Sequence, residues 1–411
     1  MNFSSHSTDK KSKPKIVKMI IMVFILGLAI LSCFFRTKIA NFDLQFFTIF
    51  QTSQCYQAVY YLSSPFAFIL ILILFYNHWN VHQSLVFHIG FQICVYLSSL
   101  LQMIISRNTL FIEKEYPPNN CELSSYFSSP ANESVISAYI YLSFVTTLFG
   151  KKKMNKNSVI KVITYIFAIL LILFLNTVLF FQKVYYLMDI IFGLSIGFGV
   201  YYMLYCVINQ RFERPHQMLY FVKLNIFYFL ITNFVLFGVY LFVYFWIRNR
   251  DNKYNEVYGS LCPEYKFVHI EYEVFGEGLI FISNLIAILA IKCEYLIIFN
   301  KSDDNFSAYN FTFYIDEYTD KDTIASFLTK GTYKQWNDTT FMKYLMRVFI
   351  SFLVFFISII TMLFINYNES NYIYLKLINK LLPLNLVASF LFFFSKLLFK
   401  YFKLSNYIKQ E

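Results

Sequence analysis

The chain has 411 residues, of which 58% are hydrophobic and only 14% charged, with a formal net charge of +11. Its apolar runs are too long and too numerous for a water-soluble core, which excludes an ordinary soluble enzyme or binding domain. The positive balance does not argue for a nucleic-acid partner, because most of the excess sits in lysines that flank apolar runs, where membrane topology alone accounts for them.

Taken in chain order, the apolar runs give about ten candidate spans, at residues 17–35, 58–76, 82–105, 134–149, 160–181, 184–208, 218–247, 276–299, 341–366 and 378–399. Each approaches or exceeds the ~20 residues that cross a bilayer as a helix. The expected fold class is therefore all-α, a polytopic membrane bundle of about nine or ten transmembrane helices. The first span follows Lys10, Lys11, Lys13, Lys15 and Lys18 and has no small-x-small site before Arg36, so it reads as a signal anchor and not a cleaved leader. The fourth span is short, and the last carries Pro383 near its start.

These spans divide the chain into a basic tail (1–16), a signal anchor with a connection (17–57), a membrane core (58–208), and further spans with a polar loop at 248–275 (209–299). A polar stretch (300–340) and a terminal pair of spans with a basic tail (341–411) follow. Lysine and arginine in short loops are retained in the cytosol. With the basic N-terminal tail cytosolic, Lys151, Lys152, Lys153, Lys156, Arg211, Arg214, Lys400, Lys403 and Lys409 fall on that same side. Both termini are then cytosolic, and residues 106–133, the turn near 182 and residues 248–275 face the lumen or exterior. Arg248 and Arg250 run against the rule, in a loop that also holds Asp251, Glu256 and Glu264.

The cysteines form no framework. Cys55, Cys121 and Cys262 fall on the expected lumenal side, where a pair between Cys121 and Cys262 is open. The sequons at Asn132 and Asn368 also fall there, and those at Asn305, Asn310 and Asn337 do not. Residues 309–316 alternate enough for a short strand or hairpin within a small cytosolic subdomain, and a loop resting on the bilayer fits them equally. His78 and His82 stand at i and i+4 with His88 further along, but no acidic or cysteine ligand is near, so no metal and no cofactor is expected. There is no phosphate-binding glycine loop, nucleophile elbow or nucleotide fingerprint.

Asp189 is the residue that most needs a reason. It lies in the apolar sequence Tyr185-Tyr-Leu-Met-Asp-Ile-Ile-Phe-Gly193. A carboxylate at mid-membrane costs roughly 2.5 to 3.5 kcal/mol on insertion scales, so it is expected to have a partner, a water-lined cavity or a place near the surface. Tyr185 stands four residues earlier, and a continuous helix would let its phenol hydrogen-bond the carboxylate.

Two stretches together resemble one family. The loop from Cys121 to Glu133, with Phe127-Ser-Ser-Pro130 leading into a helix, resembles the second motif (F-S-x-P-S-G-H) of the phosphatidic acid phosphatase type 2 superfamily. The stretch from Val178 to Asp189, continued by Ile190-Ile-Phe-Gly193, lies without gaps on the third motif (S-R-x5-H-x3-D). The likeness covers roughly residues 58–208 and is nearest to the endoplasmic reticulum branch, the sphingosine-1-phosphate phosphatases and glucose-6-phosphatases. It implies a phosphatase-like helical core, lumenal site loops, an endoplasmic reticulum location and a site where Glu133 and Tyr185 converge.

The resemblance also implies what has been lost. Tyr185 replaces the nucleophilic histidine, Glu133 the acid histidine, and Leu179 the phosphate-binding arginine, while the first motif (K-x6-R-P) falls on Gln102, Thr109 and Leu110. Only Asp189 keeps its family identity among the catalytic positions. Phosphoryl transfer needs cations on the equatorial oxygens and a nucleophile poised near neutral pH, and a phenol near pKa 10 is a poor substitute. Lys183 and Arg107 are the candidates for compensating charge. The leading expectation is thus a catalytically inactive, phosphatase-like membrane protein that binds a membrane lipid or a membrane-protein partner. The alternatives are a divergent, active phosphatase of sphingoid or other lipid phosphate monoesters, and an unrelated channel, transporter or receptor.

Overall fold

The computed structural model describes residues 20–31, 62, 71, 81–105, 127–149, 158–181, 185–208, 215–247, 341–366, 398 and 402. The elements within them are helical: α1 (Ile20–Leu31), α2 (Val81–Ile105), α3 (Asn132–Phe149), α4 (Ser158–Phe181), α5 (Leu187–Tyr201), α6 (Pro215–Ile247) and α7 (Phe341–Asn366). A π-helical turn, Tyr202–Ile208, continues α5. Four stretches are long and apolar enough to cross a membrane: Val86–Ile105, Val159–Phe181, Leu187–Cys206 and Phe227–Trp246. The protein is a multi-pass integral membrane protein with helical spans.

The expected spans at 82–105, 134–149, 160–181, 218–247 and 341–366 each correspond to an observed helix, with boundaries within three residues. The span expected at 184–208 starts later, because Tyr185 and Tyr186 precede α5. The spans at 276–299 and 378–399, almost all of 58–76, and the segment 309–316 lie outside the described residues. So do Cys121, Cys262, His78, Lys183 and Arg107. Among the described residues, no three His, Cys, Asp or Glu side chains group to hold a metal ion.

The chain divides into two compact units. One holds Met1–Pro65, Leu97–Arg211 and Arg250–Ile270; the other holds Phe66–Tyr96, Phe212–Asn249 and Glu271–Glu411. In the second unit, the Tyr96 hydroxyl donates to the carbonyl of Leu236 at 2.9 Å, and its ring meets that of Tyr240 at 5.5 Å, which fixes the first part of α2 to α6. Arg347 of α7 is fully buried in this unit.

The first unit is built around α3. That helix is not among the four most apolar stretches, and its burial explains why: Ser134, Ser137, Ser143 and Thr147 are enclosed by protein, so it has little need of a lipid-compatible surface. The neighbouring α4 is the reverse case. Val159, Ile163, Phe167, Leu170 and Phe174 are exposed along one side, as suits a helix facing hydrocarbon.

The α3 and α5 helices run in parallel and approach closely because of small residues. A Cβ on Gly193 would lie 2.5 Å from the carbonyl oxygen of Ala131 and 2.9 Å from Cβ of Ser134. A Cβ on Gly197 would lie 2.8 Å from Cβ of Ala138 and nearer still to the carbonyl oxygen of Val135. Gly193-x3-Gly197 therefore faces Ser134-x3-Ala138, two small-residue ridges that let the backbones touch. The α4 helix is antiparallel to α3, with Asn176 meeting Ser137 at one end and Tyr165 meeting Thr146 at the other.

At that second end, Thr146 joins three helices. Its hydroxyl donates to the carbonyl of Leu142 at 2.8 Å, and its oxygen lies 2.7 Å from the hydroxyls of both Tyr165 and Tyr201. A threonine hydroxyl has one proton and two lone pairs, so with its proton given to Leu142 both tyrosines act as donors. Every valence of the group is used.

Candidate functional site

At the opposite end of α3 the turn Phe127–Ala131 is held from two sides. The Gln102 amide, from the last turn of α2, donates to the carbonyl of Pro130 at 2.8 Å and to that of Phe127 at 3.3 Å. On the other side the Ala131 N–H donates to the carbonyl of Asp189 at 3.2 Å. Buried carbonyls need such partners, since each one left without costs about 1 to 3 kcal/mol. Gln102 and Asp189 together fix where α3 begins.

The start of α5 is fixed by its own backbone. Tyr186 caps the helix in an extended conformation (φ −74, ψ 151), and its carbonyl accepts the N–H groups of Asp189 at 3.0 Å and Ile190 at 3.2 Å. Asp189 is thus in the first turn of α5 and not at mid-helix. A carboxylate there meets the positive end of the helix dipole, which reduces the cost of its burial at 1% exposure. Glu133 holds the equivalent place in the first turn of α3.

The structure corrects the local reading of Tyr185. Because α5 starts at Leu187, Tyr185 and Asp189 do not share a continuous helix, and the i, i+4 argument fails. The phenol instead donates its single proton to Oε2 of Glu133, at 2.5 Å. Tyr185 and Tyr186 are both buried. Glu133 precedes the apolar run of its span; burial pushes its carboxyl up from the ordinary range, while the bonds from Tyr185 and from its own backbone N–H oppose the rise.

Three of the named candidates, Glu133, Tyr185 and Asp189, thus meet where the N-termini of α3 and α5 converge, and Gln102 braces the same turn. The positions of Lys183 and Arg107 lie outside the described residues. Among the described residues of this unit, Glu133 and Asp189 are the only acids, and the one basic side chain is Lys161, which lies over the ring of Tyr165 towards the far end of α4.

Sequence reasoning passed over two features. Gln102 appeared only as a lost lysine, and nothing in the sequence marks it as a clamp. The Gly193-x3-Gly197 spacing was legible as a close-packing signal.

No family, no curated protein and no solved structure matches this chain.

Proposed function

We propose that this is a phosphatase-like membrane protein without catalytic activity, which works by binding a membrane lipid, or a membrane-protein partner, at the Glu133, Tyr185 and Asp189 site. The observation that carries the reading is the direct bond from Tyr185 to Glu133. Two segments 52 residues apart come together at the positions where the resembled superfamily keeps its paired histidines. Gln102, the position of that superfamily's first-motif lysine, joins them through the Pro130 carbonyl.

The chemistry of the site favours binding over turnover. Tyr185 is poorly suited to attack phosphorus, because its proton is committed to Glu133 and its ordinary pKa is near 10. A phosphoryl group would also meet two carboxylates and, among the described residues, no cation to neutralise its oxygens. On this reading the site faces the lumen of the endoplasmic reticulum and both termini are cytosolic. The test is lipid binding by the purified chain. Asp189→Ala should change which lipids are retained, whereas robust phosphate release from sphingoid phosphates would establish the divergent phosphatase instead.

A further inference from the structure

We propose that the π-helical turn closing α5 is a two-state register switch, independent of any lipid binding: it stays π while Tyr205 is docked on α3 and winds into regular α-helix when that side chain is released. Regular α-helix is the ordinary backbone of a membrane span, and π turns are rare and short, so this one is held by contacts outside its own backbone.

The spacing along α5 shows why the docking needs an extra residue. Gly193, Gly197, Tyr201 and Tyr205 follow one another at intervals of four. In an α-helix each such step drifts about 40° round the axis, so Tyr205 would point about 120° away from the direction of Gly193. Gly193 and Gly197 are pressed against α3, and Tyr201 reaches Thr146 of the same helix. With i→i+5 bonding over Tyr202–Ile208, four residues fall short of a full turn, and part of the drift is taken back. Tyr205 thereby returns to the α3 side. Its ring stacks on that of Tyr201 at 5.5 Å, its hydroxyl lies beside those of Tyr139, Ser143 and Thr147, and only 6% of it is exposed.

Cys206 reads out the register. In the π turn it is half-buried and lies beside Tyr201 and Tyr202. In a regular α-helix, as the fifth residue after Tyr201, it would point about 140° away from that ring and so leave the packed side. The tight seam at Gly193 and Gly197 holds the upstream half of α5 in place. A change of register therefore swings only the far end of the helix round its axis, while the end that carries Asp189 stays fixed.

The test uses the full chain, purified in a neutral detergent and labelled with N-ethylmaleimide, the modified cysteines being located by peptide mass spectrometry. Cys94 is fully buried and reports unfolding. Tyr205→Ala, or Tyr205→Leu where the alanine variant fails to fold, should speed Cys206 labelling by about tenfold or more with Cys94 still protected, the released state having become the major one. Deleting Met203, which is half exposed, takes out the extra residue. Tyr205 and Cys206 then follow Tyr201 by three and four residues and keep to its face in plain α-helix. The deletion should fold, leave Cys206 slow and abolish the effect of Tyr205→Ala. An equal rise in both backgrounds would mean that truncation merely uncovers the thiol, and no rise in either would mean that the π turn does not depend on Tyr205. Each of these overturns the switch, as does a deletion that unfolds the chain and exposes Cys94.

Discussion

Gly193 of α5 lies against the carbonyl of Ala131, and there is no room between them for even one more carbon. The same Ala131 donates its N–H to the carbonyl of Asp189. The site therefore rests on a backbone-to-backbone contact, and the acids at the start of α3 and α5 are positioned by it.

Adding that carbon should be costly. Gly193→Ala and Gly197→Ala are each expected to destabilise the protein by about 1 to 3 kcal/mol, because backbone, which cannot move aside cheaply, occupies the space. Gly238, in α6, has nothing within 4 Å of its would-be Cβ. Gly238→Ala should be neutral or stabilising by up to about 1 kcal/mol through helix propensity. Thermal unfolding of the three variants in one detergent compares them directly, and equal effects would contradict the close approach.

Removing the phenol tests the bond that joins the two segments. Tyr185→Phe keeps the ring and leaves the Glu133 carboxylate without that donor, at an expected cost of about 1 to 3 kcal/mol. Glu133→Gln preserves an acceptor for the phenol. In the Gln background the Tyr185→Phe cost should shrink, since the partner is then neutral, and a double-mutant cycle on melting measures the difference.

The same carboxyl predicts a pH dependence. Burial raises Glu133 in the folded state, so the folded protein holds this proton more tightly than the unfolded chain does. Its contribution is fully present below the ordinary glutamate value of about 4.3 and is lost as pH rises through the raised folded value. The melting temperature of the wild type should therefore fall relative to Glu133→Gln across that window. Parallel curves for the two proteins would show that Glu133 does not titrate differently on folding.

At the far end of the bundle, Thr146→Val should remove the acceptor shared by Tyr165 and Tyr201 while preserving shape. The expected loss is about 1 to 3 kcal/mol, with Thr146→Ser restoring most of it. Melting of the two variants checks this, and a Val variant as stable as wild type would show that both phenols find other partners.

Helix placement was legible in the sequence because hydropathy and the length of a bilayer crossing constrain it strongly, as at 160–181 and 218–247. The environment of Asp189 was not. Whether a residue sits at mid-helix or in a first turn depends on where the chain stops being extended, and no glycine, proline or capping side chain announces Tyr186 as that point. Local periodicity gave Tyr185 to Asp189, whereas alignment to a distant motif brought Tyr185 to Glu133. Gln102 was unreadable for a related reason, since its partners are carbonyls 25 and 28 residues away and a backbone carbonyl has no sequence identity.

The enclosure of α3 has a consequence for synthesis. Its serines and threonines leave the ribosome before α4 and α5 have been translated; Ser137, Thr146 and Thr147 can bond carbonyls of their own helix from the start, whereas Ser134 and Ser143 then depend on water or other nascent segments. Among the described helices of this unit, α3 carries the most enclosed hydroxyls, and it acquires its finished surroundings only after the two more apolar helices α4 and α5 have followed it.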